Sequence, residues 1–197
     1  MTRRFGVLVL VAGLSPSLAI AHTGIGGTSG FAAGFAHPIS GLDHVLAMVL
    51  VGVLASAQGG RALWAIPAAF LAAMAAGGVI GVAGFALPFV QAVIAASVLV
   101  LGAALALGLR PPLAFGALAV AVFAILHGHA HGAEIPEAAG GLRYALGFVT
   151  ATGLLHLAGL AFGMALERTS ARHAPFALRS AGALSAVAGL GLLVRTL

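Results

Sequence analysis

The sequence predicts an all-α, polytopic membrane helix bundle, with six transmembrane helices after a cleavable N-terminal signal peptide. Three observations carry that expectation. Of 197 residues, 61% are hydrophobic and 7% charged, whereas soluble domains carry roughly a quarter charged residues. Mean hydropathy is +1.16. Apolar runs of about twenty residues, the length a helix needs to cross a hydrocarbon core of about 30 Å, recur along the chain.

The elements follow in order. Arg3 and Arg4 form a basic start, residues 5–14 are an apolar run, and Ala19-Ile20-Ala21 is a small-x-small cleavage site. Residues 1–21 therefore read as a signal peptide and 22–197 as one six-helix transmembrane domain. The spans are expected at 30–57, 62–84, 88–109, 113–131, 141–166 and 175–195. Short breaks separate them: Gln58-Gly59-Gly60-Arg61, then 85–88, Arg110-Pro111-Pro112, 132–140 with Glu134 and Glu137, and 167–175. None is long enough to hold a second domain. Small residues let helices approach closely where lipid gives no hydrophobic drive for association. Gly77, Gly78 and Gly81 to Gly84, and later Gly182, Gly189 and Gly191, fit that packing role.

Arginine placement sets the orientation. Arg61, Arg110, Arg168, Arg172 and Arg179 fall on one side, the side that positive-inside bias assigns to the cytoplasm, with Arg143 and Arg195 dissenting. Both mature termini then face the periplasm and the bilayer is the bacterial inner membrane. All nine basic residues are Arg, and they stand singly between apolar runs, without the basic stripe of a nucleic-acid binder. No GxxxxGK[ST] run is present, so no nucleotide partner is expected. With no Cys, thiolate catalysis and sulfur metal sites drop out.

Ionisable groups inside a membrane segment are expensive and are functional candidates by default. Seven of the twelve His and acidic residues fall in two eight-residue windows, His37 to His44 and His127 to Glu134. At about 100° per residue, His127, His131 and Glu134 share one stripe, while His129 points to the far side. On the same reckoning His37 and His44 lie within about 20° of each other in the first span, and Met48 continues their stripe. Asp43 projects elsewhere, to ligate across the bundle or to hold an imidazole in one tautomer. Pro38 and Gly41 weaken the helix there, and broken helices at membrane depth line ion or substrate sites. Both windows fall toward the periplasmic side. Together they offer the N/O donor set suited to Ni²⁺, Co²⁺ or Zn²⁺. His22, His129 and His156 are further ligand candidates: His22 through its amine and imidazole as an external collector, His156 as a second station or as a hydrogen-bonded core histidine. His173 reads as a solvated loop residue.

His37-x5-Asp43-His44, together with His127-Gly128-x-Ala130-His131-Gly132-x-Glu134, resembles the HupE/UreJ family along the whole chain. Leu126 departs from that family's pattern, which has Phe before the first histidine of the second motif. The resemblance implies a nickel/cobalt permease serving hydrogenase or urease maturation. Its metal site would then be His37, Asp43, His44, His127, His131 and Glu134, with the metal ion as transported substrate and no organic cofactor. Such a chain is a secondary permease, not an enzyme. Two other readings of the same residues are an intramembrane zinc-dependent hydrolase with Ser40 as accessory group and a bis-His membrane haem protein. Oligomeric state is open.

Overall fold

The computed structural model describes residues 30–135 and 140–196. The expected signal peptide, His22 and Glu137 lie outside them. Among the described residues the chain forms seven helices and no strand. They are α1 (Gly30–Ser40), α2 (Leu42–Gln58), α3 (Ala62–Val82), α4 (Val90–Ala106), α5 (Leu113–Ala133), α6 (Gly141–Thr169) and α7 (Ala174–Val194). Four of these, α3, α5, α6 and α7, are long and apolar enough to cross a membrane, and a fifth crossing arises if α1 and α2 form one broken span. Two of the six expected segments thus depart from a simple span. At 17 residues α4 is apolar but rises only about 25 Å, and the first segment is not one helix.

The break in the first segment has a local cause. Pro38 lacks the N–H that would bond the carbonyl one turn back. Gly41 then leaves the helix altogether, with φ −105° and ψ 126°, and α1 and α2 meet at 83°. The carbonyl of His37 is taken up by the Ser40 hydroxyl at 2.7 Å. Gly41 restarts the helix by accepting the amide of Val45 at 3.0 Å. The expected single stripe of His37, His44 and Met48 is therefore corrected: a bend, not helical periodicity, relates the two histidines, and Met48 lies fully buried in the core.

Glycine sets how closely the helices pack. A Cβ at Gly128 would strike the Met74 carbonyl, one at Gly132 the Gly78 carbonyl, and one at Gly77 the Ile125 carbonyl, so α3 and α5 run parallel almost in backbone contact. Gly52 meets the His156 carbonyl and Gly159 that of Val49, which aligns α2 with α6 in the same direction. Gly102 and Gly182 face each other where α4 and α7 run antiparallel. Gly34 sits on Tyr144 and Gly147 on Phe31, so α1 lies across the first turns of α6. Gly77, Gly81, Gly182 and Gly189 thus hold the expected packing positions. Gly191 and Gly84 touch nothing that a Cβ would meet, and Gly84 instead takes a positive φ of 78° in the turn after α3.

The surface is inverted relative to a water-soluble bundle. Phe89, Phe176 and Leu142 are about three-quarters or more exposed, while His127 and His156 are 0% and 1% exposed. Apolar side chains outward and imidazoles inward is an arrangement that lipid solvates and water does not.

Candidate metal-binding site

The two windows converge where α5 finishes and α6 begins, the cluster end of the bundle. The bend at Gly41 swings α1 back over α6, bringing His37 beside the last turn of α5. His131 lies in the middle: its ring centroid is 4.6 Å from that of His37 and 4.6 Å from that of His44. His127, one turn earlier on α5, lies 5.7 Å from His44. His37 and His44 are 6.4 Å apart, although seven residues of unbroken helix would separate them by about 10.5 Å along the axis. Ligand atoms of His37, His131 and Glu134 all fall within 4.8 Å of one another. Glu134 sits just past the end of α5 and is exposed, His37 is half-buried and His131 is buried, so the group runs from the surface inward.

Hydrogen bonds fix which nitrogens are engaged and which are free. The Asp43 carboxylate accepts from the His44 ring Nδ1–H at 2.6 Å and from the His44 backbone N–H at 2.9 Å. Of the two roles open to Asp43, the geometry has it holding the tautomer, leaving His44 Nε2 with its lone pair and no protein partner. His127 donates Nδ1–H to the Phe123 carbonyl at 2.9 Å, which frees its Nε2 in the same way. His37 pairs through Nδ1 with the Tyr144 hydroxyl. Neither nitrogen of His131 has a hydrogen-bond partner. Buried polar groups are normally satisfied, so several imidazole nitrogens without protein partners mark these residues as candidate metal ligands. Neutral imidazole nitrogens with one carboxylate make a borderline N/O donor set, suited to late first-row divalent ions.

Tyr144 and Phe148 were not singled out from the sequence. Phe148 packs on His131 with centroids 4.4 Å apart, and both aromatics wall a cavity of about 480 Å³ that also reaches His131, Met74 and Gly78. The available signal for Tyr144 was that it is the one tyrosine of the chain, ten residues beyond the second window at the start of the fifth expected span.

Two candidates lie elsewhere. His129 turns away from the cluster and donates Nε2–H to the Phe85 carbonyl at 2.5 Å, tying α5 to the segment after α3. His156 is deep in α6 against Phe70 and does not join the cluster. His173 is exposed and hydrogen-bonds Ser170, as a loop residue does. Ser40, the accessory group of the hydrolase reading, has its hydroxyl bonded to the His37 carbonyl. The haem reading meets a steric obstacle, since rings 4.6 Å apart leave no gap for a macrocycle between them.

Fold and site together define a multi-pass α-helical membrane protein with a cluster of histidines and carboxylates that runs from the surface inward. The family model described as HupE / UreJ protein matches residues 8–192. The chain is also 44% identical, over 179 residues, to Protein HupE of Rhizobium leguminosarum bv. viciae, covering 91% of this chain and 92% of that relative. The chain belongs to the HupE/UreJ family. No solved structure matches it.

Proposed function

We propose that this chain is a secondary permease that imports a divalent transition-metal ion, Ni²⁺ or Co²⁺, across the bacterial inner membrane for hydrogenase or urease maturation. Residues 1–21 are its signal peptide and 22–197 its permease domain, crossing six times with both mature termini in the periplasm. The observation that carries the reading is His131: buried, without a hydrogen-bond partner on either nitrogen, and set between His37, His44 and Glu134. Family membership supports the same reading. It agrees with what the paired motifs imply for nickel and cobalt transport.

Exposed Glu134 meets the hydrated cation first. His37, His131 and the Nε2 of His44 then replace part of its water shell, while Asp43 keeps His44 in the tautomer that offers a lone pair. His127 takes the ion one turn deeper. An inward-negative potential supplies about 2.3 kcal/mol per charge per 100 mV, so roughly twice that for a divalent ion, enough to drive uptake without nucleotide hydrolysis.

The test is uptake of radioactive nickel and cobalt by cells carrying wild type, His44→Ala or His131→Ala at matched membrane abundance. Both variants are expected to lose uptake. Wild-type uptake in both would refute the site.

A further inference from the structure

Two buried histidines take no part in the cluster, and of these His129 is tied to the Phe85 carbonyl. His156 is 1% exposed, and neither ring nitrogen has a hydrogen-bond partner. A structural histidine in a helix bundle is held by a hydrogen bond to a neighbouring helix. This one has none. What it has is an aromatic neighbour: Phe70, fully buried, meets it edge-on with centroids 5.0 Å apart and an interplanar angle of 87°. The same phenyl ring lies 5.8 Å from His127, the deepest member of the cluster.

Helix register gives the order of these groups. Met74 faces Gly128, beside His127, on parallel α3 and α5, and it lies 3.9 Å from the Thr152 hydroxyl on α6. One turn further from the cluster end on each helix come Phe70 and His156. The groups therefore descend from Glu134 and His131, through His127, to a level where the Phe70 ring stands between His127 and His156. Apolar constrictions gate ion pathways by excluding water, and an aromatic face also tolerates a cation.

We propose that Phe70 is a gate below the cluster and that His156 is the inner station receiving the cation once the phenyl ring rotates aside. The proposal rests on the permease reading given above. Its ligand is the same partly hydrated divalent transition ion, with His156 supplying one neutral imidazole nitrogen and water the remaining donors. The step is ligand exchange alone, with no change of oxidation state.

The test uses full-length protein in proteoliposomes enclosing a metal-responsive dye, with equilibrium dialysis of Ni²⁺ on the purified protein. His156→Gln is expected to bind Ni²⁺ within about twofold of wild type, yet import it at least about tenfold more slowly. Phe70→Ala is expected to admit Mn²⁺, which wild type and Phe70→Leu hold back. The chain has no other cysteine, so His156→Cys exchanges a borderline ligand for a soft one at a single point. It is expected to shift the Cd²⁺ to Ni²⁺ uptake ratio at least about fivefold toward Cd²⁺, whereas a purely structural histidine would alter both ions alike. An unchanged ratio in His156→Cys, wild-type Ni²⁺ import by His156→Gln, or unchanged ion selection in Phe70→Ala would overturn the proposal. His131→Ala serves as the separate control. Normal binding and import by that variant would remove the cluster from the mechanism, while the Cd²⁺ to Ni²⁺ ratio would still report whether the cation passes His156.

Discussion

In the proposed mechanism His131 and Asp43 do different work, and their variants should fail differently. His131→Ala removes a donor from the centre of the cluster, so Ni²⁺ binding to purified protein should fall at least about tenfold, with uptake falling alongside. Asp43→Asn keeps every imidazole but loses the carboxylate that fixes the His44 tautomer at 2.6 Å. Removing such orienting partners weakens metal affinity by about 10–100-fold, and raising the external metal concentration should restore uptake. Acid acts on the same lone pairs. A protonated imidazole cannot ligate, so uptake should be greatest in neutral to alkaline medium and decline as the medium is acidified. Initial uptake rates between pH 8 and pH 5, at fixed membrane potential, check the sign. These residue types were legible from the paired windows alone. What Asp43 does with its carboxylate was not, because ligation and tautomer control need the same residue and differ only in where the neighbouring ring sits.

Among the elements, the first span shows where one-dimensional periodicity stops. Pro38 and Gly41 announced a weak helix, but a wheel drawn through 37–48 presumes one axis, and the chain has two at 83°. The His37 to His131 contact depends on that bend. A Cβ at Gly41 would come within 2.7 Å of the Asp43 carboxylate and 2.8 Å of His44 Nδ1. Gly41→Val should therefore abolish uptake while the protein still folds, as judged by thermal unfolding in detergent. The α3–α5 pair behaves differently. At Gly128 a side chain meets backbone on the facing helix, which cannot move aside. Gly128→Val should lower stability by about 1–3 kcal/mol or more and reduce the amount of folded protein in the membrane. Glycine frequency signalled close packing, but which glycine meets which carbonyl depends on helix register, and Gly191, equally plausible in the sequence, packs against nothing.

For the whole molecule the prediction concerns topology. The parallel α3 and α5, the parallel α2 and α6, and the antiparallel α4 and α7 are the relative directions that alternating crossings require. Six crossings with periplasmic termini place Arg61 inside and Gly140 outside. The chain lacks cysteine, so Arg61→Cys and Gly140→Cys each introduce a single thiol. Only the second should react in intact spheroplasts with an impermeant reagent, and the first should react after lysis. The reverse pattern would invert the bundle and place the cluster on the cytoplasmic face.

The sequence by itself determined the solvent, the helical class, the relative helix order and the residue types of the cluster. Composition is a sum over the chain, and each span is a local property of about twenty residues. Tertiary structure alone decided that His37 and His44 close on His131 through a bend, that His129 reaches the Phe85 carbonyl, and that Tyr144, Phe148 and Phe70 join the imidazoles. Those outcomes depend on the angle and register at which distant helices meet, and backbone contacts at Gly128, Gly132 and Gly52 set that geometry. No pattern within a single helix contains it.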